Sequence, residues 1–277
     1  MTTPPARIPI ALTIAGSDSS GGAGIQADLK AFSAFGVYGA SVITALTAQN
    51  TRGVSAVEAI GPRFIVAQME AVLSDLDVGA IKTGMLANAA IVEAVAARLA
   101  SAPPLPVVVD PVMVATSGDV LLEPAAIDAV KSRLAPLAAL LTPNLPEAAR
   151  MLDATEATSE AEAIAQAQAL HGLGCKAVLL KGGHGSGDLA VDILCDAGGV
   201  QRFVKPKVDT RHTHGTGCTL SAAIAALLAR GATMREAVER AKDYVWQGLV
   251  AGQSLGVGRG NGPVDHLYAI RRASPPA

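Results

Sequence analysis

The sequence has no charge bias, few cysteines and no long apolar run, and each shortage removes a class of function. It sets 22 Lys and Arg against 24 Asp and Glu, a formal net charge of -2 over 277 residues. Charged residues make up 17%. No basic field therefore draws the chain to nucleic acid or to an anionic membrane, and small molecules are the expected partners. The three cysteines, Cys175, Cys195 and Cys218, form no C-x-x-C pair. An odd number in a core-rich chain argues against a disulfide framework and for a reducing, cytoplasmic setting. No segment approaches the roughly 20 continuous apolar residues of a membrane span. The stretch from Ile8 to Ala15 runs straight into a glycine-rich turn, the behaviour of a first buried strand rather than of a secretory signal. No G-x-x-x-x-G-K-[ST] occurs, so a nucleotide site must use another phosphate cradle.

Half of the residues are apolar, enough to bury a large core, and residues 1–277 are expected to form one domain. Short apolar runs, Ile10 to Ile14, Val42 to Ala48, Ala80 to Ile81, Val107 to Val109, Leu140 to Leu141 and Ala177 to Leu180, read as buried strands. Between them, Gly24 to Phe35, Arg63 to Leu76, Ala89 to Leu99, Pro124 to Leu134, Ser159 to Leu170, Leu220 to Ala229 and Met234 to Val250 carry apolar residues at helical spacing. The alternation predicts an α/β fold, a mostly parallel central sheet with helices on both faces. Asp188 to Val204, punctuated by Gly198 and Gly199, reads as an edge hairpin.

In such sheets ligands lie outside the carboxyl ends of the strands. After the first strand comes GSDSSGGAG, Gly16 to Gly24. Gly22, Gly24 and Ala27 fit a dinucleotide fingerprint, but Gln49 and Asn50 stand where that motif needs an acid. In THGTGCTLSAA, Thr213 to Ala223, the N–H groups of Gly215 to Cys218 can form an anion-binding nest ahead of a small-residue helix. Cys218, at that helix start, is expected to have a lowered pKa and to be a candidate general base; packing of the helix start is the plain alternative. His212, His214 and Cys218 could also be read as metal ligands, without a second cluster to complete the set. Asp110 in VVVDPV and Glu147 in LTPNLPE can hold magnesium through its waters, or cap turns and helices beside Pro111 and Pro146. Lys181 in LLKGGHGSGD can reach phosphate oxygens or remain a solvated lysine.

From about Ile10 to about Leu267 the chain resembles the hydroxymethylpyrimidine and phosphomethylpyrimidine kinases of thiamine biosynthesis, within the ribokinase superfamily. The resemblance is carried by LTIAGSDSSGGAGIQADLKAFSAFGVYG, SVITALTAQNTRGV, AIKTGML, VVVDPVMVATSGDVLL, LTPNLPEA, LLKGGH and THGTGCTLSAAIAA. It implies a ribokinase-like three-layer α/β/α sandwich, ATP and Mg2+ as cofactors, a small-molecule pyrimidine acceptor and a homodimer. It further implies that Gln49 bonds the aminopyrimidine edge, with Gly16, Ala23, Asp28, Thr47, Met85 and Val112 around the ring. On the nucleotide side it implies Lys181 at the phosphates, Asp110, Asn144 and Glu147 organising magnesium, Gly215, Thr216 and Gly217 as anion hole, and Cys218 as the base. Two alternatives stand beside it: a vitamin B6 kinase, and a catalytically silent pyrimidine-binding regulatory protein.

Overall fold

The computed structural model describes residues 7–113, 123–183 and 187–273. Parts of the VVVDPVMVATSGDVLL and LLKGGHGSGD segments lie outside that set. Among the described residues nine strands form one sheet: β1 Ile10–Asp18, β2 Tyr38–Asn50, β3 Gly53–Ala59, β4 Val78–Thr83, β5 Val107–Val109, β6 Leu140–Leu141, β7 Ala177–Leu180, β8 Leu189–Asp196 and β9 Gly199–Pro206. Their spatial order is β3-β2-β1-β4-β5-β6-β7-β8-β9. Pairing from β2 through β7 is parallel, and the outer pairs β2–β3, β7–β8 and β8–β9 are antiparallel. The chain order reverses at β1, which has β2 on one side and β4 on the other. A crevice therefore opens at the carboxyl ends of the central strands.

The parallel strands are buried on both faces, which is why they read as unbroken apolar runs. Neighbouring residues serve opposite layers: Leu179 faces the core under α1 (Gly24–Ala34), α7 (Thr216–Ala229) and α8 (Met234–Gly252). Val178 and Leu180 face the layer of α2 (Pro62–Leu73), α3 (Ala89–Ala100), α4 (Pro124–Ala129), α5 (Leu145–Leu152) and α6 (Glu160–His171). After α4 the chain passes through a π turn, Val130–Leu134, and a tight turn, Ala135–Leu137, before β6; a short α9, Tyr268–Ala273, follows the last long segment.

Local chemistry sets the helix starts. Asn144 with Glu147, Ser159 with Glu162 and Thr233 with Glu236 each close a capping box, so α5, α6 and α8 begin where two orphan N–H groups are satisfied reciprocally. Helix α7 is built mostly of small and apolar residues, with Ala222, Ala223, Ala225 and Ala226 fully buried, and it packs against α1, α8 and β4. Its small residues let neighbouring backbone approach closely. It begins at Thr216, four residues before the start expected from periodicity, because Gly215 supplies a left-handed N-cap at φ 76°. The expected edge hairpin is β8 with β9. A second hairpin, β2 with β3, and the helices α5 and α9 have no counterpart in the strand and helix segments expected from the sequence.

Candidate active site

A cavity of about 740 Å³ lies over the carboxyl ends of β1, β4, β5, β6 and β7. Gly16, Ala23, Thr47, Gln49, Met85 and Val112 line one end. Trp246, Val245, Leu249, Leu220, Val208 and Ala190 give the other end apolar walls. Between them lie Asp110, Asn144, Glu147, Lys181 and the turn from Gly215 to Cys218. The strand-end rule thus gathers every expected residue except Asp28, which does not line the cavity. Asp28 is wholly buried beneath the floor on α1, where both of its oxygens take Lys82 Nζ at 3.0 and 2.8 Å and Oδ2 accepts Thr13 Oγ1 at 2.6 Å. Lys82, on β4, is the side chain that reaches the cavity.

The floor carries a second ion pair. Lys181 Nζ donates to Asp110 Oδ1 at 2.8 Å and lies 3.8 Å from Glu147 Oε2. Asp110 also accepts from Thr142 Oγ1 at 3.0 Å and Ser221 Oγ at 3.2 Å. Burial pushes the Asp110 carboxyl up, but Lys181, Lys82 and these hydrogen bonds outweigh it and hold the group below the ordinary range. Glu147 shows the opposite balance: burial dominates, Asp110 repels its charge, and its carboxyl stands at about 7 despite Lys181.

Asn144 and Glu147 are committed to the α5 cap, Asn144 N donating to Glu147 Oε2 and Glu147 N to Asn144 Oδ1, both at 2.8 Å. The capping role weighed for Glu147 is therefore real. Among the described residues no three His, Cys, Asp or Glu side chains are gathered as a metal cage. Two hard carboxylates beside a lysine fit magnesium that keeps most of its waters and leans on substrate phosphates, not a protein-ligated ion.

At the anion turn, Gly215 has φ 76° and a Cβ there would stand 1.9 Å from the carbonyl oxygen of Gly22, so only glycine fits. Thr216 spends both N (3.2 Å) and Oγ1 (2.6 Å) on Thr213 O, which leaves the amides of Gly217 and Cys218 as the first-turn donors free of helical partners. A Cβ on Gly217 would lie 3.2 Å from Lys181 Nζ, so the turn and the lysine face one small space. The lowered pKa expected for Cys218 is not found: burial pushes its thiol up to about 11, against the pull of Lys82 and the N–H of Gly24. Desolvation of a thiolate outweighs the fractional charge of a helix start.

Three buried ionisable side chains that line the cavity carry no clear motif in the sequence. Asp18, inside the glycine-rich turn, accepts from the backbone N of Ser20, Gly22 and Ala23 and from His214 Nε2 at 2.8 Å. Burial raises its carboxyl, but these bonds, that of His214 foremost, bring it down to about 2. His214, weighed above only as a metal ligand, reaches Asp18 and Gln49 instead. Lys82 was hidden in the apolar run of AIKTGML, where a lysine flanked by buried residues was itself the signal.

Residues 18–265 match the family described as phosphomethylpyrimidine kinase. This chain belongs to that family. The hydroxymethylpyrimidine/phosphomethylpyrimidine kinase of Salmonella typhimurium is 54% identical over 259 residues, 94% of this chain and 97% of that protein. The enzyme of the same description from Escherichia coli is 53% identical over the same shares. Among solved structures, Bacillus subtilis pyridoxal kinase in an ADP complex superposes with a TM-score of 0.87 at 38% identity, covering 95% of this chain and 99% of that one. Phosphomethylpyrimidine kinase from Clostridium difficile superposes with a TM-score of 0.77 at 44% identity, over 87% and 99%. The fold is the ribokinase-like α/β architecture of these kinases, and the chain is a phosphotransferase.

Proposed function

We propose that this kinase transfers the terminal phosphate of ATP to the hydroxymethyl group of 4-amino-5-hydroxymethyl-2-methylpyrimidine, and then a second phosphate onto the product, for thiamine biosynthesis. The observation that carries this reading is one continuous cavity holding Gln49 at one end, the apolar side chains Val208, Trp246 and Leu249 at the other, and the anion turn with Cys218 between them. Gln49 offers a donor and an acceptor side by side, the pattern an aminopyrimidine edge requires.

In the first turn the hydroxymethyl oxygen attacks and must lose its proton, and Cys218 accepts it as thiolate. A thiol standing at about 11 is mostly protonated near neutrality, so base catalysis draws on a minor thiolate fraction. The amides of Gly217 and Cys218, with Lys181, spread the charge of the phosphate in flight. Magnesium, when bound, neutralises phosphate oxygens beside Asp110 and Glu147. In the second turn the acceptor is already an anion near neutral pH, so it depends less on the thiolate.

Mass spectrometry of products from purified protein, ATP, magnesium and hydroxymethylpyrimidine tests the proposal: monophosphate followed by diphosphate is expected, and no product refutes it. The likeness to pyridoxal kinase keeps pyridoxal as a second acceptor, tested by comparing kcat/KM for the two. Exposed Tyr38 and Leu46 on β2, Val57 on β3 and Phe64 on α2 support the homodimer, which sedimentation measures. The three thiols are unpaired, in keeping with a cytoplasmic setting.

A further inference from the structure

His214 is buried, and no step above uses it. Its backbone N donates to Gly262 O at 3.1 Å, and its ring fills the space where Gly22 has no side chain, since a Cβ there would lie 2.4 Å from His214 Cδ2. It immediately precedes Gly215 of the anion turn. Its Nε2 lies 2.8 Å from Asp18 Oδ2, and a carboxylate only accepts, so Nε2 carries the hydrogen. The same Nε2 lies 3.5 Å from Gln49 Nε2, which also carries hydrogens. Two donors cannot bond. On the other side of the amide, Gln49 Oε1 stands 3.0 Å from Thr47 Oγ1, whose single proton has a second acceptor in Ser17 O at 2.9 Å. One proton cannot serve both. A half-turn of the amide removes both conflicts: Gln49 donates to Thr47 Oγ1, Thr47 donates to Ser17 O, and the imidazole edge, whose Nε2 hydrogen stays bonded to Asp18 at 2.8 Å, faces the amide oxygen at 3.5 Å as an electrostatic contact and no longer faces a second donor.

Resting on the acceptor assigned above, we propose that His214 is a positioning residue that holds Gln49 in this half-turned sense and thereby decides which way round the acceptor ring binds. The amide then presents its acceptor on the His214 side and its donor on the Thr47 side. On the aminopyrimidine the amino group flanks the carbon that bears the hydroxymethyl arm. The amino group seeks the amide oxygen, so the arm beside it is turned toward His214 and the anion turn that follows it. With the opposite sense the same two hydrogen bonds would form with the arm directed away from the phosphate.

The test compares His214→Phe, which keeps the ring and loses the N–H, with His214→Gln, whose amide can replace that donor. Thermal melts establish that each variant is folded. His214→Phe should raise the KM for hydroxymethylpyrimidine about tenfold, the order expected when a buried polar partner is lost, with the KM for ATP within about twofold. His214→Gln should recover most of the loss. On the wild-type protein, nitrogen-15 NMR of the histidines should find His214 protonated at Nε2. An unchanged pyrimidine KM in His214→Phe, equal rises in both KM values, or an Nε2 without hydrogen would overturn the inference. If His214→Phe does not fold, His214→Gln and the NMR measurement decide it. A wild-type enzyme that ignores hydroxymethylpyrimidine would instead refute the acceptor assignment, and the NMR result would still report on His214 alone.

Discussion

Removing Lys82 leaves a carboxylate with nowhere to go. Lys82 and Asp28 are both fully buried and joined through two contacts at 2.8 and 3.0 Å. Burial raises the Asp28 carboxyl even against the pull of Lys82. On Lys82, burial pulls the ammonium down, but Asp28, Cys218 and Asp110 more than offset it, and the group stands above its ordinary value. Lys82→Met keeps the length and loses the charge, and breaking a buried pair in this way costs about 3–5 kcal/mol. With an unfolding entropy of about 2.1 cal/mol/K per residue, a chain of 277 residues loses about 5–9 °C of Tm. Calorimetry of the substrate-free protein at pH 7 measures it. The unfolded Asp28 ionises at lower pH than the buried one, so the variant loses stability as pH rises and its deficit should shrink toward pH 5. Lys82→Met with Asp28→Leu replaces the pair by apolar side chains and should recover most of the Tm. A single variant within about 2 °C of wild type, or a double variant less stable than the single one, would show that the pair does not bear this strain.

Cys218→Ala should lower the first phosphorylation by about 10²–10⁴-fold, the usual span for a general base, and the second by much less; equal losses in product-resolved assays would dismiss the division between the turns. Because the thiol stands at about 11, thiolate grows with pH, and kcat/KM of the first turn should climb close to tenfold per pH unit between about 7 and 10. A profile flat across that window would mean that the thiolate is not the base. Gly215→Ala meets both a positive φ and a carbonyl oxygen 1.9 Å away, so the turn must deform; kcat should fall by about 10² or more, and near-normal kcat would show that the turn does not hold the phosphate.

The core and the strand ends were legible because burial on both faces writes itself as short apolar runs, and because the chemistry of such sheets concentrates directly after them. Asp110 and Lys181 stand out in this way, and Gly215 through the glycines that precede a small-residue helix. Strand β3 was not, since five of its seven residues are exposed and no apolar face marks it. Helix α5 was hidden by its proline, although Asn144 and Glu147 at capping spacing announced it. The low pKa expected of Cys218 fails because the fractional charge of a helix start is smaller than the cost of desolvating a thiolate. Asp28 lies under the cavity floor, a depth that a resemblance taken residue by residue does not specify. His214 and Asp18 are 196 positions apart, and only the folded chain brings them together.

Gln49 sits near the tip of a peripheral hairpin, whereas Gly215 opens a helix buried on every side. Only Thr47 and Gln49 of the acceptor end lie on that hairpin, whereas the phosphate turn is tied into the packed interior. Substitutions at the hairpin tip should therefore alter acceptor preference before they alter phosphoryl transfer.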